Sequence, residues 1–273
     1  MRTRWLLSLI AALAGTSTVP AVGFGQATGD GGPTRDQARL VFTISAGAVG
    51  DKRLWSSSPQ AVQFTDPSDT FALARRIRST LAIGFGGAYF PGENLGFSAE
   101  GFLVGLGFED SCRQLFSSGS TDAATACQSI QGNQKSATSV ILSGGTILRA
   151  KSRKLLSPYA RANLGLVFSN QSSLRTVGRF PTTSGVADVV IYSDDKNSRV
   201  DPSLALGLGF TAAVGKGYQI RWEIRDNIVG VQQVTGTIPI AGSVPPHKRV
   251  FKHLFSITVG FDVILERRKG RRY

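Results

Sequence analysis

The clearest alternation of apolar and polar residues lies near the end of the chain, in residues 249–265, which read RVFKHLFSITVGFDVIL. From Phe251 to Leu265 every second residue is apolar, apart from His253, and the positions between include lysine, serine, threonine, glycine and aspartate. A period of two predicts a β-strand whose two faces meet different environments. The predicted strand is much longer than the roughly five or six residues usual in a soluble sheet.

Seven earlier segments show the same alternation, so the chain is predicted to contain eight strands. They span residues 39–50, 73–90, 95–108, 136–150, 158–169, 199–214, 218–231 and 249–265. Short connections at residues 91–94, 151–157 and 215–217 alternate strictly with long ones. This layout is typical of a barrel with tight turns at one end and long loops at the other. We therefore expect an all-β fold, an eight-stranded antiparallel up-and-down β-barrel.

Charged residues lie on the strand faces opposite the apolar ones. The set assigned to the barrel interior comprises Arg76, Arg78, Glu100, Arg161, Arg221, Glu223, Arg225 and Asp262. An apolar outside and a charged inside indicate a transmembrane barrel surrounded by lipid, whereas a soluble lipocalin-like barrel would bury its apolar face inside. Glu100 and Glu223 are expected to meet Arg221 and neighbouring arginines at mid-depth, with Asp262 nearer the turn end beside Arg161 or Arg221.

The interior charges could either block the barrel or gate it. Eight strands enclose a space that side chains can just fill, and unpaired buried charges are costly. We therefore favour a plug of mutually paired side chains. The alternative is a narrow pore for small solutes, constricted by the same charges.

The end of the last strand resembles the C-terminal assembly signal of bacterial outer-membrane barrels, through Thr258, Gly260, Val263 and Leu265. The strand count and loop alternation likewise resemble the small eight-stranded outer-membrane proteins, of which the outer-membrane protein A barrel is the best-known type. The resemblance implies a place in the bacterial outer membrane, contact with its lipids and lipopolysaccharide, and insertion by the barrel assembly machinery. The sequence departs from the family pattern in one respect, because the tail ERRKGRRY follows Leu265.

The beginning of the chain has the pattern of a cleaved secretory signal peptide. Arg2 and Arg4 precede the apolar residues 5–14, and Gly25 and Ala27 supply the small residues of a cleavage site. The expected organisation is a signal peptide (1–27), a flexible lead-in (28–38), the barrel (39–265) and a basic periplasmic tail (266–273).

The chain is strongly basic, with a net charge of +13. Such a charge would ordinarily suggest nucleic acid, but export to the cell envelope makes that partner inappropriate. Many of the positive charges fall on the turn side of the barrel. Those of the tail are Arg267, Arg268, Lys269, Arg271 and Arg272. We expect them to bind anionic lipid head groups, because basic residues beside such a surface are attracted to it. A solvated tail that only aids export is the alternative.

The remaining candidates for chemistry are few. Cys112 and Cys127 are expected to form a disulfide within the second long loop, because the chain is exported and holds no other cysteine. His253 and Ser256 fall on opposite faces of the last strand, so they do not form a catalytic pair. No cofactor or metal site is expected. The sequence thus favours a non-enzymatic scaffold that presents four extracellular loops to an unknown ligand. The alternatives are a narrow channel and a lipid A-modifying hydrolase.

Overall fold

The computed structural model describes residues 39–63, 69–105, 107–132, 134–135, 138–150, 155–194, 199–215 and 217–266. The expected signal peptide, the lead-in and the tail beyond Glu266 lie outside these residues. The described part contains fourteen strands and one helix. In chain order they are β1 (Arg39–Val49), β2 (Lys52–Val62), β3 (Asp69–Ile77), β4 (Thr80–Phe90), β5 (Leu95–Gly105), β6 (Phe108–Phe116), α1 (Thr121–Gly132), β7 (Gln134–Lys135), β8 (Thr138–Arg149), β9 (Leu156–Ser169), β10 (Thr176–Thr182), β11 (Gly185–Tyr192), β12 (Arg199–Gly215), β13 (Tyr218–Val234) and β14 (His247–Glu266).

Eight of the strands close into a barrel, in the order β1-β14-β13-β12-β9-β8-β5-β4, and β4 pairs with β1. Barrel strands that are consecutive in the sequence are neighbours in the barrel, and every neighbouring pair is antiparallel. β14 seals the barrel by pairing on both edges, with Phe261 opposite Ile44 of β1 and opposite Ile220 of β13. The predicted eight-stranded up-and-down barrel is confirmed.

The barrel wall has the polarity of a membrane protein. Outward-facing Leu81, Leu164 and Leu208 are 78%, 70% and 68% exposed, whereas inward-facing Glu223 and Asp262 are 2% and 0% exposed. A soluble protein would lose stability by leaving so many large apolar side chains in water. In lipid the same arrangement is favourable, because the outer face meets hydrocarbon and the charges are removed from it.

The long connections fold into ordered structure, which the sequence interpretation assigned mostly to loops. β2, β3, β6 and β7 form a four-stranded sheet in that order, and β10 and β11 form a separate hairpin. Residues 51–72 and 109–135, both predicted to be loops, instead contribute strands and the helix α1. The strand-like piece predicted near residues 186–192 corresponds to β11. We call β2, β3, β6, β7, α1, residues 170–175, β10, β11 and residues 235–246 the cap.

The helix α1 illustrates why these connections fold. Ser120 begins it, because its hydroxyl accepts a hydrogen bond from the backbone N–H of Ala123 at 3.4 Å. Ala123, Ala126, Cys127 and Ile130 follow at the spacing of one helical face, and all four are buried. This stripe packs α1 onto the cap rather than leaving it in solvent.

The predicted second strand, residues 73–90, is in fact two strands, β3 and β4, broken at Arg78 and Ser79. The break reverses the faces: Ile77 is buried and Arg76 is exposed, whereas regular alternation from β4 would give the opposite. Arg76 and Arg78 therefore lie on the outside of the cap and not in the barrel interior. This corrects the interior assignment of both residues.

The cap has an apolar core that continues into the upper end of the barrel. Its buried side chains include Leu54, Trp55, Phe71, Leu73, Ile130, Leu174, Ile191, Tyr192 and Ile238 of the cap, with Phe102, Val104, Val229 and Leu254 of the barrel wall. The cap is therefore packed into the loop-side mouth and is not a set of independent loops. No helix in the described part of the chain is long and apolar enough to cross a membrane.

Candidate functional site

Four charged side chains meet in the middle of the barrel. Arg161 of β9 lies 2.8 Å from Glu100 and 2.7 Å from Glu223, and Arg225 lies 2.6 Å and 2.9 Å from the same two carboxylates. All four side chains are at most 10% exposed. Each cation thus contacts two anions and each anion two cations, so the charges balance within one closed ring. We call these four residues the central ring.

Neutral donors complete the hydrogen bonding of the central ring. Tyr159 donates its hydroxyl to Glu223 at 2.6 Å, and Ser143 donates to Glu100 at 3.3 Å. The guanidinium of Arg225 also lies 4.9 Å from the centre of the Phe102 ring. Such completeness is what a buried ionic cluster requires, since each unsatisfied group would carry its full desolvation cost.

A second ion pair lies on the turn side of the central ring. Arg221 bonds Asp262 of β14 at 2.9 Å and 3.2 Å, and Thr43 of β1 donates to the same carboxylate at 2.8 Å. The sequence interpretation gave Glu100 and Glu223 the partners Arg221 and neighbouring arginines, and gave Asp262 either Arg161 or Arg221, of which Arg221 is the partner found. Glu100 and Glu223 pair with Arg161 and Arg225 rather than with Arg221. Strand direction fixes which faces point inward, but the stagger between strands decides which charges meet.

The two charge clusters leave almost no open space between them. A cavity of about 20 Å³ lies between Thr43, Ser98, Glu100, Arg221 and their neighbours. A volume of roughly 10–15 Å³ holds one water molecule, so the cavity has room for about one. The cavity is too small to hold a hydrated solute.

The structure brings six of the eight assigned interior residues into these two clusters and adds two that the sequence interpretation missed. Tyr159 of β9 donates its hydroxyl to Glu223 and was not among the predicted interior residues. Arg149, at the end of β8, is 4% exposed and stacks 4.4 Å over the ring of Phe90. Arg149 lies two residues after the apolar Ile147 in β8, so both side chains are on the same face of the strand, and this spacing was the signal that the sequence offered.

One glycine of β12, Gly209, makes room for the interior side chains. A Cβ at Gly209 would lie 2.1 Å from the carbonyl oxygen of Trp222 and 2.8 Å from the Tyr159 ring and hydroxyl. The Gly209→Ala variant should therefore lose about 3 kcal/mol of stability, the upper end of overpacking costs. Gly144→Ala is the matched control, because its Cβ would meet nothing closer than Ser98 O at 3.5 Å. Denaturant unfolding in detergent measures both, and equal stabilities would contradict the assigned role of Gly209.

In the cap, one buried arginine joins three of the long connections. Arg75 of β3 forms a two-point ion pair with Asp110 of β6, at 2.5 Å and 2.7 Å. The same guanidinium donates to the carbonyl oxygens of Ser172 and Arg175, at 3.3 Å and 2.7 Å. Its side chain is fully buried, and it lies 5.4 Å from the ring centre of Trp55. Arg75 therefore fixes the first, second and third connections to one another.

A neutral hydrogen-bond network joins the fourth connection to the others. Gln60 of β2 donates to the carbonyl oxygen of Ile238 at 2.8 Å and accepts from its N–H at 2.9 Å. The Tyr192 hydroxyl lies 2.7 Å from Ser57 Oγ and 3.0 Å from Gln60 Oε1, and burial raises its pKa above the ordinary value. Trp55 donates its indole N–H to Ser173 O at 2.8 Å. All four connections are thus tied by buried polar contacts.

The predicted disulfide is present and joins β6 to α1 through Cys112 and Cys127, both buried, with 5.3 Å between their Cα atoms. Closing a loop of this length contributes about 3 kcal/mol in the chain-entropy model. The bond therefore holds the helix against the cap sheet and makes no contact with the barrel clusters.

The remaining predicted residues occupy the last strand and its end. In β14, Thr258 and Gly260 face inward and Leu265 outward, and Val263 pairs with Phe42 and Tyr218. The tail residues Arg267 to Arg272 lie outside the described residues. Outward-facing His253 lies 2.7 Å from Asp226 Oδ2, whereas Ser256 is buried on the opposite face, as expected.

Comparison with known proteins gives matches to solved structures alone. No protein-family model matches the sequence, and no curated protein matches it. The outer membrane protein OprG from Pseudomonas aeruginosa matches with a TM-score of 0.46 and 9% identity, over 85% of this chain and 98% of that one. Neisserial surface protein A matches with a TM-score of 0.42 and 11% identity, over 83% and 97%. Ail of Yersinia pestis matches with a TM-score of 0.38 and 8% identity, over 84% and 99%.

The class of protein follows from the barrel itself. Closure by eight antiparallel strands, an apolar exterior and a charged interior are the properties of the small outer-membrane β-barrels. In this chain the barrel interior holds two charge clusters, and the cap lies above them.

Proposed function

We propose that this chain is a non-conducting, non-enzymatic protein of the bacterial outer membrane. Its barrel stabilises the membrane, and its cap presents one rigid extracellular surface to a ligand. The observation that carries the proposal is the central ring, in which the buried side chains of Glu100, Arg161, Glu223 and Arg225 pair with one another across the barrel interior.

The cap strengthens the case for a closed barrel. A gated channel requires a blocking element that moves at modest cost, as mobile loops or exposed ion pairs do. Here the loop-side mouth is covered by a sheet, a helix and a hairpin that share a core with Phe102 and Val229 of the barrel wall. Opening a path would break both the central ring and that core.

Conductance separates the proposal from the channel alternative. The refolded protein, inserted in planar bilayers, should produce no single-channel steps, while β circular dichroism and a heat-dependent shift on gels show that it is folded. The Arg161→Ala/Arg225→Ala variant, shown to be folded in the same way, should conduct, because it removes the two largest side chains of the central ring. Steps produced by the wild-type protein would replace the proposal with a small-solute channel.

Membrane stabilisation is tested in the native bacterium. Deleting the gene should increase uptake of a hydrophobic fluorescent dye through the outer membrane. Restoration by the full protein and by a variant whose cap is replaced with short turns would assign stabilisation to the barrel. Unchanged dye uptake in the deletion strain would contradict a stabilising role.

The chain end carries two further proposals. We infer that Thr258, Gly260, Val263 and Leu265 form the signal read by the barrel assembly machinery. We also propose that the basic tail binds anionic lipid on the periplasmic side, where the charges of residues 267–272 gain from the surface potential. Deleting residues 267–273 should leave membrane insertion intact but weaken salt-dependent binding to anionic liposomes. Loss of insertion would contradict the first proposal, and unchanged binding the second.

A further inference from the structure

The apolar residues on the outward face of β4 indicate how much of the barrel wall lies in the membrane. Leu81, Ile83, Phe85 and Tyr89 are all about half exposed or more, and they follow one another at every second or fourth position. From Leu81 to Tyr89 the strand rises about 26 Å, at about 3.3 Å per residue. With the strand tilted by about 40°, this covers about 20 Å of membrane depth, close to the apolar band of an outer-membrane barrel. Leu81 therefore marks the outer edge of the lipid-facing wall.

Basic residues lie directly above that edge, on the outside of the cap sheet. Arg76 and Arg78, just before β4 in the chain, have side chains that are 55% and 47% exposed. Arg53 of β2 is exposed and pairs in register with Arg76. Lys52 precedes it and is also exposed. We call Lys52, Arg53, Arg76 and Arg78 the basic collar.

Two acidic residues share this region and do not neutralise it. Glu109 lies 2.8 Å from Arg76 and 3.6 Å from Arg78, and Asp51 lies near enough to act electrostatically on Arg76. Among the described residues, the four cations of the basic collar face two anions, Glu109 and Asp51. Glu109 holds the two guanidinium groups together at the surface.

The pairing of Arg53 with Arg76 has an energetic consequence. Like charges directly opposite each other on an antiparallel pair destabilise a sheet. Glu109 offsets part of this repulsion at Arg76, and an external anion that bridges Arg53 and Arg76 would offset more of it.

We propose that the basic collar binds the phosphate groups of the outer-leaflet glycolipid. This deepens the proposed function, since it names where the barrel holds the membrane that it stabilises. The collar lies at head-group height above the lipid-facing wall, so acyl chains can rest on Leu81 and Ile83 while the phosphates reach the arginines. Guanidinium groups suit this ligand, because their donors bind phosphate oxygens in pairs.

The test compares two variants that lose the same charge. Arg53→Gln/Arg76→Gln removes the opposed pair, and Arg113→Gln/Arg179→Gln removes two exposed arginines elsewhere on the cap. The folded proteins in detergent are titrated with diphosphorylated lipid A and with dephosphorylated lipid A. The collar variant should bind diphosphorylated lipid A about 25-fold more weakly than the wild type, since each basic residue beside an anionic surface contributes about fivefold. The control variant should bind it as the wild type does.

A readout without lipid separates ligand binding from a structural role. In lipid-free detergent the collar variant should be about as stable as the wild type, because relief of the repulsion between Arg53 and Arg76 offsets the loss of the exposed ion pair between Arg76 and Glu109. Equal wild-type affinity for the two lipids, or an equal loss in the control variant, would overturn the proposal. None of these outcomes bears on the proposed closed barrel, which is tested separately by the conductance of the same folded protein.

Discussion

Replacing Glu223 with glutamine should lower the free energy of unfolding by about 3–5 kcal/mol, the cost of breaking a buried ion pair from one side. Glutamine has nearly the same shape, so the change removes charge without leaving a hole. Arg161 and Arg225 would keep Glu100 as their sole anion, in an interior where Glu223 itself is 2% exposed. Tyr159 would also lose a charged acceptor.

Reversible denaturant unfolding in detergent or lipid vesicles measures the effect, and Glu93→Gln in the turn after β4 is the matched control. Glu93 is part of a turn at the surface, where ion pairs contribute little. A further variant, Arg161→Gln/Glu223→Gln, should lose less than the sum of its two single changes, because the partners are removed together. A loss below about 1 kcal/mol for Glu223→Gln would show that the central ring does not stabilise the barrel.

Replacing Asp110 with asparagine should open the cap while the barrel stays folded. The change leaves the fully buried guanidinium of Arg75 with neutral oxygen acceptors only. A loss of about 3 kcal/mol corresponds to a roughly 150-fold rise in the open population of the cap. Trypsin should then cleave the cap correspondingly faster, because cleavage follows the open fraction when opening is fast.

The heat-dependent gel shift reports on the barrel in the same samples, and it should be unchanged. Asp188→Asn is the control, since its ion pair with Arg179 at 3.1 Å is largely exposed on both sides. Cleavage at the wild-type rate would mean that Arg75 and Asp110 do not hold the cap closed. Simultaneous loss of the gel shift would mean that cap and barrel unfold as one unit.

The sequence by itself determined the barrel. Each wall residue faces either lipid or the interior, and these two environments alternate with the strand period, so the local pattern carries the information. The long strand β14, the closure by eight strands and the interior positions of Glu100, Arg161, Arg221, Glu223, Arg225 and Asp262 were all predictable for this reason.

The tertiary structure decided the rest, because it depends on contacts between distant segments. The stagger between strands places Glu223 beside Arg161 and Arg225 rather than beside Arg221. The cap folds because Trp55, Arg75 and Ile238 are buried against other connections, and no period within one connection reports such burial. The break at Arg78 turned Arg76 outward, since the chain there leaves the barrel wall and enters a second sheet. An alternating pattern specifies two faces, but the sheet to which a strand belongs decides what each face meets.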